Sequence, residues 1–168
     1  MKNSLLFSLC LLLVATTGFA QIINGTYAIK NRQTGLVLRV QDAHKANGTP
    51  IVSYTPVNWK CVTWDFMHVD GTTYQLRNLF TGKTLQSAAA SPASGVSLEQ
   101  QPLASLQANQ QYEFIPAGEN SYYIRLKGTD LYITPTEEAG AINSKIILAE
   151  KTRSGNQIWT IYKQEPTM

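Results

Sequence analysis

The side chains that do acid, base, nucleophilic or metal chemistry are few in this 168-residue chain: two histidines, His44 and His68, and two cysteines, Cys10 and Cys61. Neither histidine stands at a zinc-ligand spacing from a second ligand. Asp42 lies two residues before His44, but no Gly-x-Ser-x-Gly nucleophile turn accompanies the pair. Glu137 and Glu138 are adjacent, so on a strand they would face opposite ways and could not work as a paired acid and base. The sequence therefore predicts no catalytic residue, no metal site and no cofactor.

The elements that would position any site begin after a leader. Lys2 precedes an apolar run from Leu5 to Val14, and Gly18-Phe19-Ala20 supplies small residues for a signal peptidase. This pattern predicts a signal peptide over residues 1–20, too short to be a membrane span. The expected mature chain, residues 21–168, is secreted and long enough for a single domain with its own core. The whole chain carries a formal charge of +3, with Lys and Arg scattered along it. That distribution predicts neither a nucleic-acid footprint nor membrane insertion. Only Cys61 survives processing, so the fold must hold without an internal disulfide; the residue is read as a buried small hydrophobe.

Three stretches end on the same pattern: Cys61-Val62-Thr63-Trp64-Asp65-Phe66, Asn109-Gln110-Gln111-Tyr112-Glu113-Phe114 and Asn156-Gln157-Ile158-Trp159-Thr160-Ile161. Trp64 and Tyr112 are 48 residues apart, and Tyr112 and Trp159 are 47. Tyr27, Tyr74 and Tyr122 open alternating strands with the same register, at intervals of 47 and 48. Such a period signals three copies of one supersecondary unit. The copies run over about 25–71, 72–120 and 121–163, with roughly four strands each and about twelve in all. Trp64, Tyr112 and Trp159 are assigned to the core, and Gln110 and Gln157 to the satisfaction of nearby backbone groups. Leu103 to Gln111 is read as a loop with a short helical turn. The fold class expected is all-β and closed, because closure leaves few open strand edges.

These motifs resemble the ricin-type β-trefoil, a lectin family with a Gln-x-Trp signature in each repeat. Asn156-Gln157-Ile158-Trp159 looks like its closing strand, Asn47-Gly48-Thr49-Pro50-Ile51-Val52-Ser53-Tyr54 is similar to its hairpin, and Asn78-Leu79-Phe80-Thr81-Gly82 is like a turn of related mushroom agglutinins. The resemblance spans Gly25 to Tyr162. It implies a six-stranded barrel capped by three hairpins, with up to three shallow sugar pockets and glycans or glycoproteins as partners. In the family each pocket combines an Asp, an aromatic and an Asn. Here the Asp position holds Arg39, Gln86 and Thr134; the aromatic position Tyr54, Gln101 and Glu150; and the Asn position Cys61, Asn109 and Asn156. No repeat keeps the full set. A millimolar sugar site has only about −4.1 kcal/mol in total, and a hydrogen bond to a charged acceptor is worth roughly 1.5–3 kcal/mol. Losing the carboxylate therefore demands a replacement. Gln86, with Gln101 and Asn109, makes the second repeat the best expected polar pocket; Thr134, Glu150 and Asn156 come next. In the first repeat Tyr54 offers a ring, with Arg39 nearby; on an alternating strand Arg39 is expected to be solvated.

A rival from another class is a protease inhibitor of the same trefoil type. It would act through a surface loop, either Thr55 to Lys60, which contains Pro56 and Trp59, or Ala88 to Gly95. These stretches depart most from the repeat.

Overall fold

The computed structural model describes residues 21–105 and 107–167; the expected signal peptide lies outside them. Within the described residues, twelve strands form one continuous sheet. The first repeat supplies β1 (Gly25–Asn31), β2 (Val37–Val40), β3 (Ile51–Tyr54) and β4 (Trp64–Asp70). The second supplies β5 (Thr73–Asn78), β6 (Thr84–Ser87), β7 (Leu98–Gln101) and β8 (Tyr112–Gly118). The third supplies β9 (Ser121–Leu126), β10 (Leu131–Pro135), β11 (Ile146–Glu150) and β12 (Ile158–Lys163).

The first and last strands of each repeat close into a ring. β1 pairs with β4, β4 with β5, β5 with β8, β8 with β9, β9 with β12, and β12 returns to β1, all antiparallel. The inner two strands of each repeat form hairpins, β2–β3, β6–β7 and β10–β11. Each hairpin joins the ring at a single register pair: Lys30 with Val37, Arg77 with Thr84, Arg125 with Tyr132. The hairpins also touch one another, through bridges Pro50–Glu99, Val52–Lys145 and Ser97–Ile147. This is a β-trefoil: a six-stranded barrel with three hairpins across one end.

Period-two alternation in the ring strands explains the core. Trp64 and Phe66, and Tyr112 and Phe114, point inward from the starts of β4 and β8, and all four are buried. Trp159 does the same in β12. Each ring at the head of these strands reaches a carbonyl of its own repeat's hairpin. Trp64 Nε1 donates to the Leu38 oxygen at 3.2 Å, Trp159 Nε1 to Ile133 at 3.1 Å, and the Tyr112 hydroxyl to Leu85 at 3.4 Å. Farther down the barrel, Phe66 meets Tyr27, Tyr74 and Phe114 with centroids 5.0–5.7 Å apart. Such tilted and edge-on contacts add about 0.5–1.5 kcal/mol each beyond the area buried.

Before each closing strand the chain makes one 3₁₀ turn, at Lys60–Val62, Ala108–Gln110 and Gly155–Gln157. The second lies in the loop where the sequence suggested a short helical turn. The other two carry no sequence signal of their own, and their place is set by the repeat.

Candidate functional site

The candidate positions lie on the hairpins and on the 3₁₀ turns that precede the closing strands. The hairpin registers are identical: Val37 faces Tyr54, Thr84 faces Gln101, and Tyr132 faces Ala149. The third-repeat counterpart of Tyr54 and Gln101 is therefore Ala149, not Glu150. Glu150 pairs with Leu131 one step further along, and a one-residue step on a strand turns the side chain to the other face. The cause is visible in the backbone. Asn143 holds φ 65°, the left-handed role of Gly48 (77°) and Gly95 (87°), rather than that of Asn47.

In the second repeat the amides satisfy one another. Gln110 Nε2 donates to Gln86 Oε1 at 2.8 Å and to the Pro102 carbonyl at 3.0 Å, while its Oε1 accepts from the Ala104 amide at 2.9 Å. Gln86 is thus brought to the turn that carries Asn109, with its carbonyl oxygen already engaged. Gln101 turns aside and donates to Glu99 Oε1 at 2.7 Å. Asn109 is half-buried, and its Oδ1 is covered with no hydrogen-bond partner.

The third repeat repeats this wiring with a hydroxyl. Gln157 Nε2 donates to Thr134 Oγ1 at 3.0 Å and to the Glu150 carbonyl at 2.8 Å. Thr134 in turn donates to the Tyr132 carbonyl at 3.0 Å, so its hydroxyl is a strut in the hairpin. Asn156 is only 4% exposed and its Oδ1 has no partner. Its Nδ2 faces Glu138 Oε1 at 3.5 Å, the outer edge of hydrogen-bond distance. Glu138 comes from the loop after β10, four residues past Thr134, and Gln33 Nε2 anchors its carbonyl at 2.9 Å. A carboxylate and an amide thus stand side by side in this repeat. In the sequence Glu138 stands out only as the neighbour of Glu137. Nothing in the strand periodicity reports where the 136–144 loop carries it.

The first repeat is built differently. Arg39 is 9% exposed, not solvated, because all four residues of β2 are buried against the turn and its neighbours. Its guanidinium lies 4.0 Å from the centroid of the Tyr54 ring and 3.8 Å from Asp42. One face of Tyr54 is thereby taken. The next ring along is Trp59, 6.4 Å from Tyr54 and 40% exposed. Cys61 and Val62 replace the Asn and Gln of the other turns, and both are buried.

Elsewhere, a His68 ring nitrogen lies 3.1 Å from the Gly71 carbonyl. Among the described residues no three His, Cys, Asp or Glu side chains are grouped to hold a metal ion, and no helix is long and apolar enough to cross a membrane.

The model of the family described as "Ricin-type beta-trefoil lectin domain-like" matches residues 60–149, more than half of the chain. The protein belongs to that family. Among solved structures it is similar to ThreeFoil, a designed threefold-symmetric protein (20% identity, 83% of this chain and 99% of that one, TM-score 0.78). It is similar also to the Rhizoctonia solani agglutinin (20% identity, 86% and 99%, TM-score 0.76). A third likeness is to the Macrolepiota procera ricin B-like lectin in complex with lactose (22% identity, 86% and 99%, TM-score 0.69). No curated protein sequence matches the chain.

Proposed function

We propose that this chain is an exported, non-enzymatic carbohydrate-binding protein whose main contact with sugar hydroxyls is the Glu138–Asn156 pair of the third repeat. The observation that carries this reading is the 3.5 Å approach of Glu138 Oε1 to Asn156 Nδ2. Vicinal hydroxyls of a pyranose ask for an acceptor and a donor a few ångströms apart. Glu138 supplies a charged acceptor although the family's Asp position holds Thr134. The second repeat, with Gln86, Gln101 and Asn109, is a weaker polar pocket made of amides. Family membership and the lactose complex of a trefoil relative support sugar as the ligand class. Export rests on the Lys2-to-Ala20 leader. Several weak pockets on one molecule gain avidity on densely glycosylated surfaces.

A glycan array probed with the mature chain tests the proposal. Binding is expected, and Glu138→Gln or Asn156→Ala should weaken it about tenfold or more, as loss of a charge-assisted bond does. Array binding indifferent to both changes would overturn the site. An empty array together with inhibition on a protease panel, abolished by changes in Thr55 to Lys60, would replace the lectin by the inhibitor. Mass spectrometry of the medium should find a chain starting at Gln21.

A further inference from the structure

An apolar groove of about 310 Å³ opens beside the 3₁₀ turn of the first repeat, lined by Ala43, Trp59, Lys60, Cys61 and Phe80. Its size suits one or two sugar rings, at the low end for small-ligand sites. Trp59 and Phe80 are each 40% exposed. They come from different repeats: Trp59 from the loop after β3, Phe80 from the turn after β5. The groove occupies the first-repeat counterpart of the polar pockets, but Cys61 and Val62 leave it without their amides.

Its charge is one-sided. Lys60 lines the groove, Lys45 Nζ lies 4.8 Å from the Phe80 centroid, and Lys83 Nζ donates to the Lys45 carbonyl. Among the described residues no carboxylate lines it. Asp42, next to Ala43 in the chain, lies 3.8 Å from Arg39, which itself covers Tyr54. Exposed rings offer a platform for the apolar face of a pyranose, and the ammonium groups favour a ligand that carries negative charge.

We infer that this groove binds an acidic sugar, a pyranose bearing a carboxylate, by stacking on Trp59 and Phe80 with Lys60 and Lys45 facing the carboxylate. The inference rests on the carbohydrate-binding reading above and adds a second ligand class at a different repeat. Neutral sugars are recognised by the Glu138–Asn156 pair, where a ligand carboxylate would meet a like charge; acidic ones go to the lysine-flanked groove.

The mature chain is titrated with trigalacturonate, its fully methyl-esterified form and a neutral galactose trisaccharide, followed by calorimetry and tryptophan emission. Trp64 and Trp159 are buried, so a ligand-induced change in emission reports Trp59. Trigalacturonate is expected to shift the emission and to bind more weakly as salt rises. The methyl ester should bind about fivefold or more weakly. Trp59→Ala should cost about tenfold, and Lys60→Gln or Lys45→Gln about two- to fivefold each, with a flatter salt dependence. Trp59 uses only its backbone carbonyl in the turn, accepting from Val62 N and Thr63 Oγ1, so the alanine variant keeps those bonds. Equal affinity for acid and ester would overturn the inference. So would neutral-glycan binding that depends on Glu138 beside a trigalacturonate titration with no heat and no emission change; the lectin reading would then stand alone. If no sugar of either kind binds, the carbohydrate reading itself falls.

Discussion

Asn31 donates through Nδ2 to the main-chain carbonyl of Asn156, 125 residues downstream, at 2.7 Å. The bond ties the end of β1 to the turn that carries the third-repeat site. Asn31 Oδ1 meanwhile accepts from the amides of Gln33 and Thr34 at 3.1 and 3.0 Å. Asn78 repeats the device one repeat later, donating to the Cys61 carbonyl at 3.1 Å and accepting from Phe80 and Thr81 at 3.1 and 3.2 Å. Both asparagines are fully buried. Asn31→Ala or Asn78→Ala should each lower stability by about 2–3 kcal/mol, read as a lower urea midpoint at unchanged slope. Asn31→Ala should also weaken binding at the third repeat, whereas Asn78→Ala should leave that site alone.

The three core rings are not equivalent in what they hold. Trp159 reaches the Ile133 carbonyl at 3.1 Å, but the Tyr112 hydroxyl reaches Leu85 only at 3.4 Å, near the limit of a useful bond. Trp159→Phe removes a sound hydrogen bond and leaves unfilled volume, so it should cost about 2–4 kcal/mol. Tyr112→Phe removes a weak bond and almost no volume, and should cost less than about 1 kcal/mol. Burial pushes the Tyr112 phenol far above the ordinary tyrosine range, so this difference should persist in denaturation curves taken at mildly alkaline pH.

The barrel was legible because its core repeats: Trp64, Tyr112 and Trp159 must recur wherever a closing strand enters the ring, and their spacing survives divergence of everything else. The site was legible only in part, because it is made where the repeats differ. At the aromatic position the sequence offers Glu150 where the structure has Ala149, because Asn143 shares its letter with Asn47 but its backbone conformation with Gly48 and Gly95. Alternation alone sent Arg39 to solvent, and only the stack on Tyr54 shows why a long cation is stable there. Glu138 and Trp59 sit in loops of irregular path, where period carries no information.

Leu126 occupies the third-repeat place of Asn31 and Asn78, and the residue after it, Lys127, makes a bond of another kind. Its Nζ donates to Asp70 Oδ2 at 2.9 Å. That hydrogen bond, helped by Thr73, holds the Asp70 carboxyl below its ordinary 3.8. A depressed folded-state value means the contribution is present above pH 3.8 and lost as pH falls through the folded value. Both groups are exposed enough for salt to screen the pair. Lys127→Gln should move the Asp70 titration upward in a carboxyl-detected NMR series, and 1 M salt should move the parent protein the same way. An unmoved midpoint in the variant would show that Thr73 alone sets the shift.

The loop that presents Glu138 turns at Gly140, which has φ +83° and donates to the Glu137 carbonyl at 3.0 Å. A Cβ there would stand 2.9 Å from Thr34 Cβ and 3.2 Å from Thr34 Cγ2, in the Thr-Gly turn of the first repeat. Gly140→Ala therefore adds a steric conflict to the backbone penalty, and should cost about 1–3 kcal/mol. Gly128 is the matched control: φ is +74°, but nothing lies within 4 Å of its would-be Cβ. Gly128→Ala should cost only the conformational share, about 1 kcal/mol. Relief of the contact by an outward shift of the 136–144 loop draws Glu138 away from Asn156. Gly140→Ala should thus weaken neutral-glycan binding while Gly128→Ala does not, and Thr34→Gly in the Gly140→Ala background, which removes both crowding carbons, should restore part of the affinity, more than Thr34→Ser, which keeps the Cβ at 2.9 Å. Affinity unchanged in Gly140→Ala despite lost stability would mean that Glu138 keeps its place or that its position does not control the site.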